Sequence, residues 1–355
     1  MGTTAVIGTA KGGFILRSDD RRTWSVEGPL FKGWKLTTTS RTPAGTYLAA
    51  TASDVYGTAV HRSRDLAEWE QVETGPAWPA AAEGGGNGEA RKLKQIWTFG
   101  HGGNRTYAGV DDAGLFASDD DGVSWTPVDG LNEHSTRSGW FPGAGGLCAH
   151  AVLVDPADPK RLWCGISAVG VFRSDDGGAS WTPKNEGIPI VIEDKSCKDI
   201  GRCVHGMVAD PKDANTIYRR EHVGVFRTRD GGEHWERIEN GLPSWFGFPI
   251  VMDVPTNTLF LAPLESDEYR MPVDGRLSVY RSRDGGDSWE DASAGLPAEH
   301  AYVGVLRGAM AADQDGGVYL GTTGGQVYVS SDGADSWQTL PVTLPRVLSV
   351  EVYPS

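Results

Sequence analysis

Apolar positions along the chain come in short runs, such as VFRS, TIYR and LWCG, separated by clusters of glycine, aspartate, serine and proline. This pattern predicts short β-strands joined by tight turns, with little helix. The runs recur in the same order. HAVLVDPADPKRLWCGISAVGVFRSDDGG, starting at His150, lies over HGMVADPKDANTIYRREHVGVFRTRDGG, starting at His205. Each reads as an inner strand A, a D-P turn, a strand B, a short connection, a strand C and an aspartate-rich turn into a strand D.

The last of these turns is the most regular feature. Residues 170–189 read GVFRSDDGGASWTPKNEGIP, and close copies are ASDDDGVSW, RTRDGGEHW, RSRDGGDSW and VSSDGADSW; worn copies, one residue shorter, lie at 18–24 and 63–69. The central aspartates are Asp20, Asp65, Asp120, Asp176, Asp230, Asp284 and Asp332, at steps of 45, 55, 56, 54, 54 and 48 residues. A short carboxylate accepts hydrogen bonds from nearby backbone N–H groups, glycine takes the left-handed conformation, and tryptophan packs back under the turn. Seven such units predict an all-β fold, a seven-bladed β-propeller with four-stranded blades forming a single domain over 1–355. Residues 3–17 supply strands B and C of the first blade and 347–353 its strand A. The two chain ends thereby close the ring and remove its exposed edges.

The motif S-x-D-x-G-x-[ST]-W resembles the Asp-box, or BNR repeat, of sialidase-like, sortilin-like, xyloglucanase-like and photosystem-assembly-factor-like propellers. That resemblance covers nearly the whole chain. It implies a fold shared by glycosyl hydrolases, receptors and assembly factors, so function has to be argued from the site. Sialidases of this group carry an early R-I-P motif and an arginine triad. No R-I-P occurs here; GTAKGGF stands in the first strands.

Composition narrows the classes. A formal charge of −14 disfavours nucleic acid and anionic membranes as partners, and no apolar run has the length of a membrane span. The N-terminus has no basic-then-apolar leader, and Val6 stands where myristoylation wants serine or threonine, so a cytoplasmic location is expected. Cys197 and Cys203 are near enough in sequence to pair, which a cytoplasmic setting disfavours. Cys164 reads as core.

In such a blade the A–B and C–D turns share one face of the ring, and the B–C and D–A connections share the other. The long connections 77–94, 132–146, 186–202 and 264–276 all fall on this second face, which points to a site there. Strand A starts at its mouth with Lys35, Gln95, His150, His205, Phe248, Arg307 and Arg346. The B–C ends add Lys11, Asp54, Tyr56, Asp111, Asp112, Arg219, Arg220, Glu221, His222 and Glu265. Cations and histidines at the mouth of an acidic protein favour an anionic guest.

The expected function is therefore a hydrolase or lyase acting on an anionic small molecule or sugar acid. Glu221, His222, His205 and Asp111 are its candidate catalytic groups. Lys35, Arg220, Arg307, Arg346, Trp140 and Gln95 are its candidate substrate contacts. Cys148-Ala-His150 and Cys203-Val-His205 put matching side chains on neighbouring inner strands, so His150, His205 and His222 are candidate ligands for zinc, copper, iron or manganese. No organic cofactor is evident. One alternative is a sialidase-like or other glycosidase pairing Asp111 or Asp112 with Glu221 or Glu265. Another is a non-catalytic binding propeller that meets a protein partner through rim loops bearing Trp34, Trp78, Trp140 and Trp245.

Overall fold

The computed structural model describes residues 2–79, 91–143, 145–192 and 197–354. Seven four-stranded antiparallel sheets follow one another in chain order, each strand pairing with the next. In blade 1, Val347–Pro354 pairs with Thr3–Thr9, so one sheet carries both ends of the chain. The other inner strands are Lys35–Arg41, Ile96–Gly102, Ala149–Val154, Gly206–Asp210, Gly247–Asp253 and Met310–Ala312. The ring closes as the repeats predict.

Alternation decides where each side chain goes. In blade 4, Leu162, Cys164 and Ile166 face one neighbouring sheet while Trp163 and Val171 pack with Ile217 and Phe226 of blade 5. The core is thus a set of apolar seams between blades, with the channel along the ring's axis.

The aspartate turns hold the blade backs. Asp176 Oδ1 accepts from the Ser174 hydroxyl and the Ser180 amide, both at 2.8 Å, and Oδ2 accepts from the Ser180 hydroxyl at 2.5 Å. Gly178 sits at φ +96°, and its carbonyl accepts the Trp181 indole N–H at 3.0 Å. The worn turns close as well: Asp65 accepts from the amides of Ala67 and Glu68 at 2.9 and 3.0 Å.

Five of the seven inner strands bulge near the mouth, as shown by register shifts at Gly8/Thr9, Leu36/Thr38, Ile96/Thr98, Ala149/Ala151 and Gly247/Ile250. A bulge bends the strand and re-aims the extra residue. In blades 2, 3 and 4 the residues re-aimed are Thr37, Trp97 and His150, and all three line the channel.

Candidate functional site at the channel mouth

The channel opens into a cavity of about 980 Å³. Lys35, Gln95, His150, His205, Phe248, Arg307 and Arg346, the seven residues at which strand A was expected to start, all line it. Trp97, Tyr269, Arg270, Tyr302 and Glu351 join them, none of which the repeat overlay singled out as wall residues.

Arg307 is the centre of the cationic side. Its guanidinium lies 4.6 Å from the Phe248 ring centroid and 5.8 Å from that of Trp97. It makes no ion pair or hydrogen bond among the described residues, and its Nε is buried without a partner. Burial lowers its pKa, and Arg270 beside it pushes the same way. A cation held between aromatic faces without a carboxylate is ready for an external anion. Lys35, by contrast, is paired with Asp54 at 2.7 Å.

Two imidazoles stand beside Arg307. His150 Nδ1 lies 2.9 Å from the Val204 carbonyl, so Nδ1 carries the proton and Nε2 keeps a lone pair; that Nε2 is buried and without a partner. His205 repeats the arrangement against the Gly247 carbonyl at 2.7 Å, but its Nε2 meets His222 Nδ1 at 3.1 Å. Burial first, and Arg307 second, hold both His150 and His205 well below the usual imidazole pKa. His150 was expected to complete a three-histidine set. The groups that converge are instead Cys203, His205 and His222, each offering one ligand atom within 4.8 Å of the others, with His205 Nε2 and His222 Nδ1 3.1 Å apart.

Several expected site residues lie elsewhere. Arg220 points into the seam with blade 6, where its guanidinium donates to the carbonyls of Pro249, Ala262 and Phe246 at 3.0, 2.8 and 2.6 Å. Burial brings its pKa down to about 9, and it tethers backbone where a substrate contact was expected. Glu221, on the opposite face of the same strand, is fully buried with Arg219 Nη2 at 3.5 Å; burial pushes it up to about 7. Trp140 is also fully buried, its indole bonded to the Thr136 hydroxyl at 2.9 Å and its ring covered by Arg137 at 4.6 Å. It seals the seam above Phe172 and does not reach the cavity wall.

Asp111 lies beside the Cys148 thiol, with its pKa raised by burial, outside the cavity wall. Asp112 is paired with Lys94 at 2.7 Å. Glu351 is thus the one carboxyl side chain in the described wall, and burial pushes it up to about 8.

Of the four long connections, 264–276 reaches the cavity, through Leu264, Tyr269, Arg270 and Met271. Parts of 77–94 and 186–202, and Ala144 within 132–146, lie outside the described residues. The four cysteines are free thiols.

No protein-family model matches the chain. A probable oligoxyloglucan-reducing end-specific xyloglucanase of Neosartorya fischeri is 26% identical over 160 residues, 43% of this chain and 17% of its own length. A xyloglucanase of Hypocrea jecorina is 25% identical over 215 residues, 60% of this chain and 23% of its own length. The matches thus span less than a quarter of each of these relatives. Among solved structures, YCF48 from Cyanidioschyzon merolae is similar with a TM-score of 0.55 at 12% identity, covering 90% of this chain and 88% of that one. An ancestral GH74 enzyme is similar with a TM-score of 0.56 at 17% identity, covering 90% and 38%. The chain therefore has the seven-bladed propeller fold and distant similarity to xyloglucanases.

Proposed function

We propose that this protein is an Asp-box propeller enzyme that binds a carboxylate-bearing sugar at the channel mouth and moves a proton beside that carboxylate, as elimination from a uronate requires. The observation that carries this reading is Arg307, a guanidinium without an ion-pair partner among the described residues, set beside the free Nε2 lone pair of His150. In this reading the guanidinium grips the carboxylate and takes up charge as the adjacent C–H is deprotonated. His150 accepts that proton. The leaving glycosidic oxygen needs one in return, and in this reading it comes through water from Glu351, which lines the same cavity and whose carboxyl burial pushes up to about 8. Trp97, Phe248, Tyr269 and Tyr302 offer ring faces to a sugar.

The similarity to xyloglucanases supports a carbohydrate guest. The two-carboxylate glycosidase version has less support, because Asp111, Asp112, Glu221 and Glu265 stand outside the described cavity wall. A protein-binding reading draws on the stacked pair Trp34 and Tyr56, 5.7 Å apart with Tyr56 exposed.

The test is turnover of uronate oligosaccharides, read as unsaturated product. Arg307→Met should lower kcat/KM by on the order of a hundredfold or more, the worth of a charged hydrogen-bonding contact that strengthens in the transition state. Release of reducing ends without unsaturated product, or full activity of the variant, would overturn the reading.

A further inference from the structure

We propose that Cys203, His205 and His222 form a binding site for a divalent transition metal, with zinc the best fit. The argument begins with protons. The Gly247 carbonyl, 2.7 Å from His205 Nδ1, can only accept, so His205 carries its hydrogen on Nδ1 and presents a lone pair at Nε2. His222 presents Nδ1 to that lone pair at 3.1 Å, while its Nε2 lies 4.0 Å from Asp267 Oδ2. A neutral imidazole has one N–H. If His222 turns it toward His205, a lone pair is left facing the carboxylate. If it turns it toward Asp267, two nitrogen lone pairs face each other. In the first case an N–H···N bond satisfies the contact between the rings; in the second the two lone pairs converge on a point that one cation can occupy, with the His222 Nε2–H left to face Asp267, and a metal ion fits that second arrangement.

The third group settles which kind of cation fits. Cys203 is buried, and its Sγ lies within 4.8 Å of a ring nitrogen of each histidine. One sulfur and two imidazole nitrogens are a borderline-soft set that suits zinc over magnesium or calcium. The 3.1 Å between the nitrogens is close to the ligand spacing of a tetrahedral ion with bonds of about 2.0–2.1 Å; the sulfur has to move inward.

The outer contacts follow the usual pattern, a carbonyl behind one histidine and a carboxylate near the other. A metal-bound Cys203 thiolate would also offset the neighbouring charge of Arg307. His205 lines the cavity, so a fourth position on that side would face its contents. The proposal does not depend on which substrate the cavity takes.

The test uses metal alone, on the full chain. Stripped protein is titrated with zinc against a chromophoric chelator, then loaded with cobalt(II) to read the thiolate-to-metal absorption and the intensity of the tetrahedral bands. Wild type should bind one equivalent. Cys203→Ser should lose the thiolate band, and His222→Ser should weaken binding by at least about tenfold, as expected for the loss of one ligand. His150→Gln should leave both readouts unchanged. His222 is half-buried at a hairpin tip, so its variant keeps the test open if Cys203→Ser does not fold. No stoichiometric binding, or binding unaffected by both variants, would overturn the site, whatever becomes of the uronate assay.

Discussion

Blades 4 and 5 share one pattern of strands and turns and end with different chemistry. Both open strand A with Cys-x-His, and both bond the histidine Nδ1 to a carbonyl of the next blade. The difference lies at the end of strand B. Blade 4 has Cys164, Gly165, Ile166 and Ser167, where blade 5 has Arg219, Arg220, Glu221 and His222. In blade 4 the imidazole Nε2 is left alone; in blade 5 it faces a second imidazole. One hairpin end thus gives a wall residue a second imidazole as its partner, the pair proposed above as metal ligands. The ionisable residues beside it occupy space that blade 4 fills with small or apolar side chains.

That exchange gives the sharpest way to break the comparison. Arg219 and Glu221 are both fully buried, with Arg219 also donating to Asn185 Oδ1 at 3.0 Å and the Cys203 carbonyl at 3.1 Å. Arg219→Met should destabilise the fold by about 3 kcal/mol, because it strands a buried carboxyl. Arg219→Met with Glu221→Leu should recover most of that loss, since an apolar pair is what the corresponding seam in blade 4 tolerates. Urea unfolding of the single and double variants decides it; a double variant no more stable than the single would contradict the reading.

A smaller effect concerns what the two blades share. Asp176 is held down to about 2, first by the Ser180 hydroxyl and then by its amide. The folded pKa lies below the ordinary value of 3.8, so the unfolded chain takes up the proton first. This contribution is complete above about pH 4 and is lost as the pH falls toward about 2. Wild type should therefore lose more Tm over that interval than Asp176→Asn, which has no charge to lose. Asp230 accepts from the His234 amide and ring, each at 3.0 Å, and should respond in the same sense. Parallel slopes for wild type and variant would show that the turn carboxylates carry no acid sensitivity.

The repeat register made the ring and its mouth legible from the residues. It placed all seven strand-A starts on the cavity wall, because blades of one topology set side by side around one axis bring equivalent positions to one rim. Trp97 escaped notice because a bulge re-aims it, and a bulge leaves no mark in the alternation of apolar and polar residues. Tyr269 and Arg270 arrive on an irregular connection, where spacing predicts no direction. The sequence places Arg220 and Glu221 at a strand-B end and Trp140 in a rim loop, positions that do not fix where a side chain points. Alternation sends the first two into opposite seams, and the turn after Arg137–Gly139 folds the third under its own loop.

The central claim is that the acidic ring carries an anion site at its mouth, built on Arg307. The most direct measurement is calorimetric titration of a uronate and of its neutral parent sugar into wild type and Arg307→Met. The uronate should bind wild type, with its affinity reduced by on the order of tenfold to a hundredfold in the variant, while the neutral sugar should bind weakly and equally to both. Equal affinity for the two sugars, or uronate binding unchanged by Arg307→Met, would contradict the account.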